Sequence, residues 1–190
     1  NDYAFLIFGL TELYFATYDT KYIKKALSLN GNMIRLFADI ENGGFFLSSE
    51  NSEDLLFRPK EIYDGAIPSA NSVLLFNFFR LGHLTGNTLL LDIAERTIKA
   101  FYTHIASSPS SYSFFVSALY FYLNSVSTLV ITKKSNDNSI NDYIDMIQKE
   151  FKPNVLLNVI DPDSEEAKEL FEFSKNFVMI NNLPTLYVCH

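Results

Sequence analysis

Cysteine is almost absent from this chain of 190 residues, and the single one, Cys189, leaves no partner for an internal disulfide. A reducing compartment, the cytoplasm, is therefore the expected location. Long apolar runs are missing as well. The most apolar stretch, residues 73–79, ends at Arg80 and is far shorter than the roughly 18–20 residues that span a bilayer. We expect no membrane-spanning helix.

Positive charge is also scarce. The chain has 15 basic and 22 acidic residues, which gives a formal net charge of −7, and its densest basic cluster is Lys21, Lys24 and Lys25. These lysines fall on the polar face of a predicted helix. A protein that follows a phosphate backbone needs a basic stripe, so neither nucleic acid nor a membrane is an expected partner.

Glycine does not occur after Gly86, and this bears on the last third of the chain. There the pattern predicts a strand, a helix and a second strand, followed by a short helix and a third strand. These five elements are residues 128–132, 138–150, 155–160, 164–173 and 185–188. The first three form a βαβ unit with parallel strands. A nucleotide-binding unit needs glycines after its first strand, so we predict no nucleotide. We also expect no other cofactor and no metal.

Apolar residues are abundant, at 48% with 18 Phe and 11 Tyr, and they follow a helical pattern that occurs twice. Residues 2–18 and 69–85 are apolar nearly all round, which predicts helices buried on both sides. Residues 21–38 and 88–106 have one apolar stripe. The turns between the members of each pair align at an offset of 67 residues. Asp19-Thr20 and Ser69 are expected N-caps.

Buried helices that alternate with amphipathic ones predict an inner and an outer ring, which is an α/α toroid. A third inner helix is expected at residues 111–123. We predict a mainly α fold, with a partial six-hairpin α/α toroid over residues 1–124 and a small βαβ-type appendage over 125–190. Because two to three hairpins are only part of a ring, we expect a C-terminal fragment of a longer protein. Exposed inner-ring surface would make the isolated chain self-associate.

The connection between the two hairpins, residues 39–68, is unusually long, since helical connections usually run about two to eight residues. Gly43-Gly44 permits a tight turn. Phe45, Leu47 and residues 55–57 predict a small β-hairpin over the mouth of the ring.

Four charges follow within seven residues: Arg58, Lys60, Glu61 and Asp64. Carboxylates beside cations can have separated pKa values, as acid/base chemistry requires. The alternative is a salt-bridged loop that locks the link against the ring. The residues alone leave both interpretations open.

Several motifs carry a family resemblance. They are Asp2-Tyr3-Ala4-Phe5, Glu41-Asn42-Gly43-Gly44-Phe45-Phe46, Arg58-Pro59-Lys60-Glu61, Tyr63-Asp64-Gly65-Ala66, Pro68-Ser69, Asn71-Ser72, Pro184-Thr185 and Tyr187-Val188-Cys189. They resemble the spermatogenesis-associated, thioredoxin-domain-containing family over almost the whole chain. The resemblance implies a thioredoxin-like domain upstream of an α/α six-hairpin toroid of the glycosidase and sugar-epimerase type.

The resemblance and the charged link together suggest a carbohydrate-active toroid that binds a sugar-like small molecule. The expected acid/base groups are Asp2, Glu61 and Asp64. The expected substrate-binding residues are Tyr3 and Phe45 for stacking, Arg58 and Lys60 for acidic or hydroxyl-rich groups, and Asn71 and Ser72 for orientation.

The alternative is a non-catalytic module that binds the upstream thioredoxin-like domain, and the sequence does not decide whether the protein is an enzyme. Sugar epimerases of this fold use histidines. Here His83 and His104 lie outside the motifs and are interpreted as helix-surface or helix-end residues, which argues against epimerase chemistry.

Overall fold

The computed structural model describes residues 1–51, 57–150 and 152–189. Its helices are α1 (Asp2–Thr17), α2 (Thr20–Phe37), α3 (Ala70–Thr85), α4 (Thr88–Ser107), α5 (Ser113–Leu123), α6 (Asn141–Lys149) and α7 (Glu165–Leu170). Its strands are β1 (Ser127–Thr132), β2 (Val155–Ile160) and β3 (Thr185–Cys189). Short 3-10 turns lie at Pro109–Tyr112 and Glu172–Ser174. The helices and strands predicted outside the 39–68 link are thus confirmed, with ends that differ by a few residues.

The turns of the two hairpins are equivalent in structure. The residues that follow α1 and α3, Tyr18 and Gly86, both lie in the left-handed region, with φ of 54° and 74°. α2 then begins at its predicted N-cap, where the Asp19 carboxylate accepts the backbone N–H of Lys21 at 3.1 Å. Because Gly86 rather than Thr85 matches Tyr18, the structural offset is one residue longer than the predicted one.

α1, α3 and α5 form an inner layer with α3 in the middle. α3 packs against α1, α4 and α5, and α1 packs against α2. The inner helices run in the same direction, since contacts advance together along α1 and α3: Asn77 bonds to Ala4, and Arg80 pairs with Glu12. Helix α2 packs mainly against α1, and α4 packs mainly against α3 with a further ring contact from Phe101 to Phe115 of α5, so the predicted alternation of inner and outer helices is present.

The prediction that each first helix is buried on both sides holds for α3 and is wrong for α1. In α3 only Phe76 and His83 are even partly exposed. α1 and α5 expose large apolar side chains, which are Phe5, Leu6 and Leu13 on α1 and Val116, Tyr120, Tyr122 and Leu123 on α5. The reason is position in the layer, because an edge helix has an inner neighbour on one side only.

The sheet has the order β2-β1-β3, with β1 parallel to β2 and antiparallel to β3. The predicted βαβ unit is therefore confirmed. It shares a core with the helices, since Tyr14 of α1 donates its hydroxyl hydrogen to Asn158 of β2 and its ring lies 5.8 Å from that of Phe171. The division at residues 124 and 125 remains a prediction. Among the described helices, none has the length and hydrophobicity needed to cross a membrane.

Candidate functional site

The link between the hairpins begins with a tight turn built on Asp39. Its carboxylate accepts the backbone N–H groups of Glu41 at 3.1 Å and Asn42 at 2.9 Å. Gly43 and Gly44 follow with φ of 76° and 74°, a region that L side chains rarely adopt. A Cβ atom on Gly43 would also lie 2.6 Å from the carbonyl oxygen of Arg96 in α4. The turn packs so closely on α4 that only glycine fits.

The predicted β-hairpin over the mouth of the ring is not formed by the described residues of the link. They make one antiparallel bridge, from Ala38 to Phe45. Leu55 and Leu56 of that prediction lie outside the described residues. Phe45 is buried and its ring lies 5.4 Å from that of Phe78 in α3. Its side chain thus belongs to the core.

Lys60, predicted to hold a substrate, forms an ion pair with Asp39 at 2.7 Å and donates to the carbonyl of Gly43 at 2.6 Å. Both charged side chains are largely buried. Burial alone would raise the pKa of Asp39, but hydrogen bonds from Lys60 and Asn42 outweigh it and lower that pKa to about 2. Lys60 thereby fixes the turn.

Arg58 joins the link to the end of α2. Its Nη2 donates to the carbonyl of Ser48 at 2.7 Å and, more weakly, to that of Leu36 at 3.4 Å. The guanidinium carbon lies 4.1 Å from the ring centroid of Phe46, in cation–π geometry. The Arg58 guanidinium, which was predicted to bind a substrate, therefore binds backbone carbonyls and a phenylalanine ring of the same chain.

Asp64 lies between the starts of two inner helices. One carboxylate oxygen accepts the N–H of Ser69, the N-cap of α3, at 2.8 Å. The other accepts the N–H groups of Phe114 and Phe115 in the first turn of α5, at 2.8 and 2.9 Å. A buried negative charge at two helix N-termini satisfies three backbone donors and complements both dipoles. This carboxylate is turned into the protein.

Asn71 and Ser72 are buried in the first turn of α3. The Asn71 amide accepts the N–H of Phe45 at 2.8 Å and donates to the carbonyl oxygens of Phe45 and Glu61, at 3.0 and 2.8 Å. Ser72 exchanges hydrogen bonds with Ser69. Asn71 thus ties both halves of the link to α3.

Asp2, Tyr3 and Glu61 are placed differently. Asp2 and Glu61 have exposed side chains, while Tyr3 is half-buried with its ring 5.8 Å from that of Phe37. Asp2 begins α1, and the backbone carbonyl of Glu61 is bound at the start of α3. Because α1 and α3 are parallel neighbours, these two carboxylates lie at the same end of the inner layer. Asp64, the third predicted acid, lies at that end too but points inward.

Two cavities of the described structure are lined by residues outside the 39–72 segment. One, of about 580 Å³, lies at the carboxyl ends of β1 and β2 and includes Lys133 and Asp161 in its lining. The other, of about 840 Å³, lies between the inner helices and the sheet, and its lining includes Arg80. We call it the Arg80 recess. The sequence offered one signal for it, a single arginine that interrupts the apolar pattern of α3.

In the part of the chain that the structure describes, the two histidines of the helices and the single cysteine show no arrangement typical of a catalytic site. His104 is exposed in the last turn of α4, and His83 is half-buried in the last turn of α3, where burial lowers its pKa. The helix-end interpretation of both is confirmed. Burial raises the pKa of the Cys189 thiol, which makes it a weak nucleophile. Within residues 1–51, 57–150 and 152–189, no group of three or more His, Cys, Asp or Glu could hold a metal ion.

Comparison of the amino-acid sequence with known proteins identifies relatives of this chain. No family model matches the chain. Spermatogenesis-associated protein 20 of Rattus norvegicus is 31% identical over 190 residues, and that of Homo sapiens is 30% identical over 191. The chain is homologous to spermatogenesis-associated protein 20. An uncharacterized protein of Caenorhabditis elegans is 26% identical over 192 residues.

These alignments include 99–100% of this chain but only 24–25% of each relative. The chain therefore spans about a quarter of the length of the curated relatives that it matches. The predicted resemblance to the spermatogenesis-associated family is confirmed, and the share is consistent with the expected C-terminal part of a longer protein.

Proposed function

We propose that this chain is a non-catalytic docking module, an arc of an α/α toroid that binds other segments of a longer protein related to spermatogenesis-associated protein 20. The observation that carries the proposal is the contrast within the inner layer. The middle helix, α3, is buried, whereas both edge helices expose large apolar side chains, with Leu6 at 53% and Leu123 at 75%.

The exposed apolar surfaces of α1 and α5 are suited to pack against further inner helices. Soluble proteins rarely leave contiguous apolar patches uncovered, and exposed ones usually mark interaction surfaces. α1 and α5 would each gain a second inner neighbour if the layer continued, as α3 has within this chain. Continuation on both sides produces the ring of a six-hairpin toroid.

The chemistry of the link supports the same proposal. Arg58, Lys60, Asp64 and Asn71 are engaged by backbone groups or by Asp39. Side chains that hold the fold in this way are poorly placed to transfer protons to a ligand. They make the link a lock between the two hairpins.

The proposed occupant of the edges is the remainder of the same polypeptide. Its relatives are about four times as long as this chain, and the family resemblance implies a thioredoxin-like domain upstream. We place that domain among the segments that the arc binds. The single cysteine supports a cytoplasmic setting for the assembly.

A complementation experiment tests the docking proposal. The remaining polypeptide of a full-length homologue is produced separately and mixed with this chain, and the mass of the complex is measured by chromatography with light scattering. A one-to-one complex is expected, and Leu6→Glu should abolish it. Ser28→Glu, which adds the same charge on the exposed face of α2, is the matched control. A complex unaffected by Leu6→Glu would contradict the proposal.

The chain on its own should self-associate through the same edges. Sedimentation at tens of micromolar should show dimers or larger species, and Leu6→Glu should shift the population toward monomer. A wild-type chain that sediments as a monomer would count against exposed edges as binding surfaces.

Carbohydrate chemistry is the second candidate, and it rests on the two exposed carboxylates. Asp2 and Glu61 would be the acid/base pair at one end of the inner layer, beside the Tyr3 ring, with Asp64 holding the helix starts that position them. Full-length homologue should then convert or bind a sugar or sugar phosphate, and Glu61→Gln should abolish turnover without loss of folding. Equal activity of wild type and Glu61→Gln would remove this candidate.

A further inference from the structure

The Arg80 recess contains a charge that the fold does not fully use. Arg80 lies on α3, between α1 and α5, and only 10% of its side chain is exposed. Apolar and polar residues of the inner helices and the sheet surround the recess, among them Phe15, Phe76 and Phe121. Burying a guanidinium is costly unless partners compensate it.

Aromatic rings supply part of that compensation. The guanidinium carbon lies 4.6 Å from the ring centroid of Phe15, 5.1 Å from Phe76 and 5.8 Å from Phe8. Three ring faces within about 6 Å hold the cation by cation–π attraction. Phe15 and Phe76, together with Phe121, line the recess and give it flat apolar walls.

Hydrogen bonds satisfy only part of the Arg80 guanidinium. A guanidinium has five N–H donors, and within the described part of the chain Arg80 bonds only to Glu12, through Nη1. The Glu12 side chain is 49% exposed, so solvent competes for this partner. Arg80 therefore retains donors in a cavity of about 840 Å³, a size typical of small-molecule sites.

We infer that the Arg80 recess binds a small carboxylate-bearing molecule with a flat apolar body. The guanidinium fork matches a carboxylate with two parallel hydrogen bonds, and the phenylalanine rings match a flat body by stacking. The other charged residues of the lining are Lys149 and Lys152 against Glu12 and Glu150. This single buried cation suits a carboxylate better than a phosphate, which needs more positive charge. The site is separate from the edge surfaces of the docking proposal.

Glu12 acts as the internal competitor in this arrangement. Its carboxylate pairs with one side of the Arg80 guanidinium, and the ligand would offer the same functional group. Removing its charge should release Arg80 for an external carboxylate. A purely structural ion pair predicts the opposite, a loosened α1–α3 contact with no gain in binding.

Benzoate is a direct probe, with benzamide as its neutral match, and both can be titrated into the whole chain by nuclear magnetic resonance. Benzoate should perturb residues that line the recess and bind about tenfold more tightly than benzamide, the difference expected of one charge-assisted hydrogen bond. Glu12→Gln should tighten benzoate binding several-fold. Arg80→Lys should weaken it about tenfold, because lysine lacks the planar fork. Arg35→Met, on an exposed arginine of α2, should change nothing.

Equal affinities for benzoate and benzamide would overturn the inference. So would a Glu12→Gln variant whose benzoate affinity is unchanged or reduced. Glu12 is half-exposed, so this variant keeps the test valid even if Arg80→Lys fails to fold.

Discussion

The Asp64 carboxylate accepts the backbone N–H of Phe115 at 2.9 Å, across a sequence separation of 51 residues. The same carboxylate holds Ser69 at the start of α3. One side chain of the link thus sets two parallel inner helices side by side. The arrangement of the inner layer depends on this contact as well as on apolar packing.

Replacing Asp64 should destabilise the protein strongly. Asp64→Ala leaves three backbone donors without their acceptor, and we expect the free energy of unfolding to fall by about 3 kcal/mol. Asp64→Asn keeps one oxygen acceptor, so its free energy of unfolding should lie between those of the wild type and of Asp64→Ala. Urea denaturation followed by circular dichroism measures the effect. Glu61→Ala, at an exposed neighbour, should change stability by no more than about 0.5 kcal/mol, and equal effects at both positions would refute the role of Asp64.

The Asp39–Lys60 pair predicts a loss of stability in acid. The folded-state pKa of Asp39 is about 2 against an ordinary value of 3.8, so its stabilisation is complete above about pH 4. It is lost as the pH falls from about 4 toward 2. The contribution should be about 1 kcal/mol after allowance for solvent screening.

Lys60→Met should reduce that pH dependence, because it removes the cation that, together with Asn42, lowers the pKa of Asp39. Denaturation midpoints of both proteins between pH 2 and 5 make the comparison. Parallel pH profiles for the two proteins would show that Lys60 does not stabilise the Asp39 carboxylate.

Gly43→Ala should destabilise the turn by about 2 kcal/mol, since it combines an unfavourable positive φ with a contact to the backbone of α4. Gly31→Ala is the matched control. Gly31 is exposed inside α2, and an added Cβ meets nothing within 4 Å. Helix propensity then predicts a gain of about 0.5–1 kcal/mol. Thermal unfolding of the two variants should shift in opposite directions, and a shared direction would contradict the packing described for the turn.

Tyr14→Phe should loosen the contact between α1 and the sheet. It removes the hydroxyl that bonds to Asn158, whose amide nitrogen already lacks a partner among the described residues. A buried amide left without hydrogen bonds costs about 1–3 kcal/mol. Hydrogen exchange in β2 should accelerate accordingly. Tyr102→Phe, on the exposed face of α4, should leave exchange unchanged.

Periodicity predicted the helices and strands well because local pattern and capping dominate these choices. The stripe of Ile23, Ala26 and Met33 is buried as its spacing indicates, and Asp19 and Ser69 cap their helices. The sequence predicted exposed inner-ring surface but not that α1 would carry part of it. An apolar helix shows that a partner is needed but not whether that partner lies in the same chain.

The link shows where sequence reasoning ends. The partners of the motif residues Arg58, Lys60, Asp64 and Asn71 could not be predicted from the sequence. Lys60 pairs with Asp39 rather than with a neighbouring acid, and Asp64 binds backbone groups of α5. Backbone donors carry no sequence signature, so a carboxylate that caps a distant helix has the same sequence appearance as a catalytic one.

Hydrogen exchange of the edge helices tests the docking account most directly. Exchange is measured over residues 2–13 and 113–123 in this chain alone and in a full-length homologue, with α3 as the internal reference. The account predicts strong added protection of both edges in the longer protein and little change in α3. Edge helices that exchange equally fast in both proteins would contradict it.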